Sequence, residues 1–251
     1  MLTTSLHGTA TALPPLMIVH GLFGSARNWG ALARRLADSR LIIVPDLRNH
    51  GESPWMATHS YTDLAADLAE FAAPYPKLDI LGHSMGGKAA MMLALTAPER
   101  VNRLLIADIA PVAYSHSQIR YVDAMQSLDL AVTSRGEADR RLMAAVPDAS
   151  VRAFLLQSLD LKASPPRWRL NLPVLGREMA KITGWPDPVG SFPRPALFLS
   201  GALSSYVLPE HRAAIKALFP AARFAKLPGA GHWLHAERPR EFEATVRAWF
   251  A

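Results

Sequence analysis

Residues 78–95 read LDILGHSMGGKAAMMLAL, and this stretch decides the fold. The apolar run that begins at Leu78 predicts a buried strand, and the apolar residues that follow Lys88 predict a helix. The turn between them carries Ser84 in the pattern Gly-x-Ser-x-Gly, where small neighbours let the strand and helix approach around a strained serine. We therefore predict that Ser84 is a nucleophile at a strand-turn-helix junction, with the free N–H groups of the helix start facing an anion.

The rest of the chain alternates short apolar runs with longer helical patterns. The predicted strands are 16–20, 41–45, 78–81, 103–107, 196–200 and 223–227. The predicted helices are 29–37, 61–71, 88–97, 209–219 and 238–250. This alternation is typical of a mostly parallel sheet with helices on both faces.

The alternation stops in residues 111–191, where helix-like segments are separated by prolines. A loop of that length without secondary structure is improbable in a compact domain, so we expect a helical insertion. We predict a core formed by residues 1–110 and 192–251, with residues 111–191 as a helical cap. A further layer of helices that only supports the sheet is the alternative.

A histidine follows the last predicted strand, within the sequence PGAGHW of residues 228–233. A histidine at this place can take the proton of a serine hydroxyl, so His232 is the predicted general base. His83 and His235 are weaker candidates, and a surface histidine is the alternative interpretation of His232.

The acid that orients this histidine commonly follows the strand 196–200, but residues 201–206 contain no carboxylate. Asp108 directly follows the strand 103–107, beside the strand of the nucleophile, and active sites of open α/β sheets lie at these strand ends. We therefore predict that Asp108 orients His232 and stabilises its imidazolium form. A helix N-cap is the alternative role for Asp108. The reserve candidates for the acid are Asp187 and Glu210.

A glycine turn, HGLFGS, covers residues 20–25 after the strand 16–20. A turn at this place supplies a backbone N–H that joins the N–H after the nucleophile in stabilising an oxyanion. Leu22 and Met85 are the predicted donors. A turn needed only for chain reversal is the alternative.

Aromatic residues near these motifs are candidates for an apolar substrate pocket, and we name Phe23, Trp168 and Trp233. A place in the core is the more common fate of such side chains. Ser204 is a candidate accessory partner for His232, although a loop serine beside a glycine is usually a turn residue.

The composition limits the remaining classes. The net charge is +6, but the 27 basic residues are scattered and form no run that suggests a nucleic-acid or membrane partner. Without cysteine, a thiolate nucleophile or thiolate zinc site is excluded. No leader or membrane-spanning stretch is recognised, so we expect a cytoplasmic protein. We also expect a small-molecule substrate and no metal or other cofactor. The oligomeric state is left open.

Five segments together resemble the α/β-hydrolase family, and specifically the YbfF-type esterases of bacteria and their mitochondrial relatives. They are VHGLFGSARNWG, VPDLRNHGESP, LGHSMGGKAAM, ADIAPVAY and PGAGHWLHAERP. The resemblance implies the α/β-hydrolase fold, with the cap inserted after the sixth strand and the acid there as well, which supports Asp108. It also implies a link between Ser204 and the histidine. This chain carries Gly-Ala-Leu-Ser at 201–204, where relatives tend to carry Gly-Gly-Asn-Ser.

The expected activity is that of a serine esterase that cleaves short to medium acyl esters or thioesters through an acyl-enzyme on Ser84. Haloalkane dehalogenases and epoxide hydrolases of this fold use an aspartate nucleophile, so the serine at position 84 disfavours both activities. Perhydrolase, thioesterase and C–C hydrolase activities need the same groups and stay open. A non-catalytic or slowly turning over ligand receptor on the same scaffold is the alternative from another class.

Overall fold

The computed structural model describes residues 1–251. Its strands are β1 (Thr4–His7), β2 (Leu16–Val19), β3 (Ile42–Pro45), β4 (Leu78–His83), β5 (Val101–Ala107), β6 (Leu159–Asp160), β7 (Arg167–Trp168), β8 (Ala196–Gly201) and β9 (Ala222–Leu227). Its α-helices are α1 (Gly30–Leu36), α2 (Tyr61–Ala72), α3 (Met85–Thr96), α4 (Ile119–Ser127), α5 (Arg135–Leu142), α6 (Ala149–Leu156), α7 (Leu172–Arg177), α8 (Met179–Thr183), α9 (Arg212–Leu218), α10 (Leu234–Glu237) and α11 (Pro239–Phe250). Short 3-10 helices cover Ala26–Trp29, Pro98–Arg100 and Pro209–His211.

Seven strands form one sheet in the order β1-β3-β2-β4-β5-β8-β9. Every neighbouring pair is parallel except β1 with β3. The six predicted strands all appear, whereas β1 was not predicted. The strand β4, which leads to Ser84, lies at the centre of the sheet with all six residues buried.

Helices cover both faces of this sheet. In β2, Leu16 and Ile18 pack with α1 and α11 on one face, and Met17 and Val19 pack with α2 and α3 on the other. This alternation follows from the two-residue period of a strand. The predicted α/β-hydrolase fold is confirmed. No helix of the structure is both long and apolar enough to cross a bilayer.

Local sequence explains where the helices begin. Ser60 caps α2, since its hydroxyl accepts from the Asp63 N–H at 3.2 Å and the Asp63 carboxylate accepts from the Ser60 N–H at 3.0 Å. In α11 every fourth residue from Phe242 is buried, namely Phe242, Val246 and Phe250, so these side chains form one apolar stripe along the helix.

The segment between β5 and β8 forms five helices, α4 to α8, and the hairpin β6-β7. The hairpin strands are two residues long and were not predicted. We call residues 111–191 the cap. The cap follows β5, which contains the predicted strand 103–107. The prediction placed the cap after the sixth strand, whereas β5 is the fifth strand along this chain.

Candidate active site

Ser84 lies on the sharp turn between β4 and α3. Its backbone has φ 52° and ψ −124°, a strained conformation for a residue with a side chain. Its N–H donates to the Ala107 carbonyl at 3.0 Å, which holds the turn against β5. A Cβ atom on Gly86 would lie 2.3 Å from the His20 carbonyl oxygen, so only glycine fits this crossing. The Ser84 hydroxyl makes no hydrogen bond within the protein and opens onto a cavity.

Asp108 and His232 meet at the carboxyl end of the sheet. Nδ1 of His232 donates to Oδ2 of Asp108 at 2.8 Å. Asp108 is fully buried and has φ 52°, a second strained residue at this edge. Since the proton is held on Nδ1, the Nε2 atom of His232 is left as the acceptor.

Two further groups hold the Asp108 carboxylate. The Gly201 N–H donates to Oδ1 at 3.0 Å, and the Ser204 hydroxyl donates to Oδ2. Ser204 therefore contacts the carboxylate and makes no hydrogen bond with His232, which corrects the expectation for this serine. The Ser204 hydroxyl reaches the Asp108 carboxylate because the turn after β8 runs alongside the end of β5. Asp187 and Glu210, the reserve candidates, are exposed and bind neither residue.

The loop that carries His232 is fixed on three sides. The Glu237 carboxylate accepts from the N–H of Gly231 at 2.7 Å and of Trp233 at 3.1 Å. Nε2 of His83 donates to the His232 carbonyl at 2.8 Å. The imidazole of His232 stacks on Tyr206, with ring centroids 4.0 Å apart and planes at 20°. The ring is therefore held in one orientation.

The turn of residues 20–25 faces Ser84. The backbone N–H groups of Leu22 and Met85 have no acceptor in the protein, and both residues line the same cavity as Ser84. Two unpaired donors beside a serine are what an oxyanion needs. Phe23 has φ 63°, and its own N–H is bound to Nε2 of His50 at 3.2 Å, so it does not join them.

Three buried histidines lie beneath this turn. The ring of His50 is 5.2 Å from that of His20 and 5.3 Å from that of His59. Nε2 of His20 accepts from the Leu47 N–H at 2.9 Å. Nε2 of His59 lies 3.3 Å from the sulfur of Met85. Burial lowers the pKa of His20 to about 4 and that of His50 to about 3, so these rings are neutral at pH 7.

A cavity of about 250 Å³ opens beside Ser84. Its core side includes Phe23 and Trp233, and its cap side includes Val151, Phe154 and Leu155 of α6. The lining is mostly apolar, with polar groups such as Ser84 and His232, which suits an acyl chain.

Trp168 does not line this cavity, which corrects its prediction as a pocket residue. It is buried inside the cap, and its indole N–H donates to the Met125 carbonyl at 2.9 Å. The hairpin strand β7 turns the side chain toward α4 and away from the core.

Sequence reasoning missed several residues of the site, among them His50, His59, Lys88 and Glu237. His50, His59 and Lys88 act through neighbours that are distant in the chain, so no motif contains both partners. Glu237 lies four to six positions from its partners, within the segment PGAGHWLHAERP, but nothing in that segment marks its role. The segment VPDLRNHGESP was noticed only as part of a resemblance, and its histidine was the available signal for His50.

Comparison with known proteins identifies the family of this chain. The family model described as the alpha/beta hydrolase fold matches residues 14–239. Esterase YbfF of Escherichia coli (strain K12) is 39% identical over 93% of this chain and 91% of its own length. The sn-1-specific diacylglycerol lipase ABHD11 of Mus musculus is 38% identical over 98% of this chain and 83% of its own.

Solved structures give the same result. An esterase from a marine microorganism superposes with a TM-score of 0.92 at 34% identity, covering 99% of this chain and 100% of the other. A thioesterase domain from the curacin biosynthetic pathway has a TM-score of 0.73 at 21% identity, covering 97% of this chain and 94% of its own, and shares the fold alone. The family prediction is confirmed: the chain belongs to the α/β-hydrolase family, and it is a carboxylic-ester hydrolase.

Proposed function

We propose that this hydrolase cleaves short to medium acyl esters or thioesters through an acyl-enzyme on Ser84. The observation that carries the proposal is the 2.8 Å hydrogen bond from Nδ1 of His232 to the buried Asp108 carboxylate. This bond selects the tautomer in which Nε2 can act as a base. The serine beside it opens onto an apolar cavity.

In the first half of the reaction, the Ser84 oxygen attacks the acyl carbonyl carbon while its proton passes to Nε2 of His232. The carbonyl oxygen becomes an oxyanion, which the N–H groups of Leu22 and Met85 stabilise by about 3 kcal/mol each. The carbon–oxygen bond to the leaving alcohol then breaks, and the imidazolium gives its proton to that alcohol. Asp108 stays ionised throughout and stabilises the imidazolium.

In the second half, a water molecule attacks the acyl-enzyme and gives a proton to Nε2 of His232. The bond between the acyl carbon and the Ser84 oxygen breaks, the serine takes the proton back, and the carboxylic acid leaves. One ester and one water thus give one acid and one alcohol. A thioester would follow the same path with a thiol as leaving group.

The cavity supports an acyl group of limited length as the substrate. Leu22 and Phe23 contribute to its wall from the core, and Phe154 contributes from the cap. A volume of about 250 Å³ suits a small acyl ester better than a polymer, and the curated relatives are named as esterases and lipases.

Hydrolysis of p-nitrophenyl butyrate by the wild type and by Ser84→Ala tests the proposal. We expect turnover in the wild type and its loss in the variant. A fluorophosphonate probe should label the wild type at Ser84 and leave Ser84→Ala unlabelled. Equal turnover by both proteins would refute Ser84 as nucleophile. Labelling without multiple turnover of butyrate, octanoate or thioester probes would favour the slow receptor instead.

A further inference from the structure

Lys88 is a buried lysine on the helix that begins at the nucleophile. It lies one turn after Ser84 in α3, and its backbone N–H donates to the Ser84 carbonyl at 3.1 Å. Its residue surface is 1% exposed, and it contributes to the wall of the catalytic cavity. A lysine in such a place is uncommon because burying an ammonium group costs free energy.

The ammonium group is fully used by backbone carbonyls of the cap. Nζ donates to Val112 at 2.8 Å, to Gly184 at 2.6 Å and to Thr183 at 3.2 Å. Val112 is the second residue of the cap, and residues 183 and 184 lie near its other end. One side chain of the core therefore binds both ends of the insertion.

Two tyrosines complete the same junction. Nζ lies 4.8 Å from the ring centroid of Tyr114 and 5.5 Å from that of Tyr61. The Tyr114 N–H donates to the Thr183 carbonyl at 3.0 Å, and the Tyr61 hydroxyl donates to the Ile182 carbonyl at 2.6 Å. Tyr61 belongs to α2, so the junction joins the core to both ends of the cap.

No carboxylate offsets the charge of Lys88. The titratable groups that face it are Tyr61 from α2, and Tyr114 and His116 from the start of the cap. Burial lowers the pKa of Lys88 to about 7. Loss of its proton leaves two N–H donors for three carbonyls, so the junction weakens as pH rises through 7.

We propose that Lys88 is a positioning residue that joins the nucleophile helix to both ends of the cap, fixes its own part of the wall of the catalytic cavity, and so limits acyl chain length. The proposal rests on the proposed esterase function of that cavity. Lys88 does not touch the reacting atoms, since its three donors are already bound.

The test compares Lys88→Met with the wild type on p-nitrophenyl butyrate and octanoate. Methionine keeps a long side chain but has no donor for the three carbonyls. We expect the ratio of kcat/KM for octanoate to that for butyrate to rise about tenfold, because a loosened junction admits a longer chain. In the wild type the same ratio should rise with pH through 7, and in Lys88→Met it should not change with pH.

Lys216→Met is the matched control. Nζ of Lys216 also binds backbone carbonyls, at 3.1 Å to Pro220 and 2.6 Å to Ala222, but it lies on the exposed surface of α9 and binds no residue of the cap. This variant should keep the wild-type ratio and its pH dependence. If Lys88→Met has the wild-type ratio at every pH, the proposal is wrong.

Two measurements separate this inference from the proposed function. Fluorophosphonate labelling of a separate sample of each variant reports whether Ser84 is reactive, so a selectivity ratio that stays constant in a variant whose Ser84 is reactive counts against Lys88 alone. Hydrogen exchange of the wild type at pH 6 and 8.5 tests the junction without turnover, even if Lys88→Met fails to fold. We expect the Tyr114 amide to lose protection, corrected for intrinsic rate, at the higher pH. Constant protection would overturn the proposal.

Discussion

The backbone N–H of Phe23 donates to Nε2 of His50 at 3.2 Å, across 27 residues of sequence. This bond holds Phe23 at φ 63°, a conformation that a bulky residue avoids unless its surroundings impose it. The preceding N–H, that of Leu22, is thereby left without a protein acceptor at the edge of the cavity. His50 thus shapes the proposed oxyanion site without reaching the substrate.

Replacing His50 tests this role. His50→Leu leaves the Phe23 N–H buried without an acceptor, so we expect kcat to fall by about tenfold to a hundredfold with a smaller change in KM. His50→Gln offers an amide oxygen near the position of Nε2 and should keep more of the rate. The measurement is kcat and KM on p-nitrophenyl butyrate, together with inhibition by a trifluoromethyl ketone. Equal loss in both variants would contradict the hydrogen bond as the cause.

Asp108 and Ser204 should differ widely in their effect on rate. Asp108→Asn removes the charge that stabilises the imidazolium and permits the wrong tautomer, so we expect kcat to fall about 10⁴-fold. Ser204→Ala removes one of three hydrogen bonds to the carboxylate, and the Gly201 N–H remains. Its kcat should fall less than about tenfold, by the modest net worth of one such bond. Steady-state kinetics decide, and a larger loss in Ser204→Ala than in Asp108→Asn would sink the assignment.

The buried histidines predict a loss of stability in acid. Below pH 6.5 the unfolded chain binds protons at His20 and His50, whereas the folded protein does so only near pH 4 and 3. The unfolded state then binds more protons, so the free energy of unfolding falls as pH falls from 6.5 to 4. One pKa unit corresponds to about 1.4 kcal/mol. Urea denaturation at pH 7 and 4.5 measures the fall.

His50→Gln is the control for that pH dependence, because it removes one of the two titrating groups. Its free energy of unfolding should change less between the two pH values than that of the wild type. If both proteins show the same change, His50 is not a source of it.

Gly201 lies where the end of β8 crosses the loop of His232. A Cβ atom there would lie 2.1 Å from the Gly231 carbonyl oxygen and 2.5 Å from that of Ala230. Gly201→Ala should therefore displace the loop, lower kcat and reduce the free energy of unfolding by about 1–3 kcal/mol. Gly136→Ala, within α5, where a Cβ atom would meet only the Arg140 guanidinium at 3.9 Å, should instead raise stability by about 0.5–1 kcal/mol. Thermal melts and kinetics of both variants provide the comparison.

The fold was predictable because its signals are local. A buried strand, a glycine turn and an apolar helix are all contained in residues 78–95, and the same holds for the strands that precede Asp108 and His232. The strand β1 escaped because it is a four-residue antiparallel edge strand with no fully buried residue, so it carries no apolar run.

The contacts between distant segments were not predictable. The hydroxyl of Ser204 binds Asp108 from 96 positions away, and the Lys88 ammonium reaches carbonyls on both ends of the cap. No periodicity encodes such pairs. The prediction that Trp168 lines the pocket failed for the same reason. Nothing in the local sequence distinguishes an aromatic side chain in the interior of the cap from one in the wall of the cavity.

The cap joins two strands that are neighbours in the sheet. β5 and β8 pair directly, with Leu104 beside Ala196, although the whole cap lies between them in the chain. The entropy of closing a loop grows slowly with its length, by about 0.6 kcal/mol per doubling. A change in the length of the cap therefore costs little closure entropy, and the register of β5 with β8 does not depend on that length. Exchange of this one segment would alter the side of the cavity that α6 lines and leave the turns of Ser84, Asp108 and His232 in place.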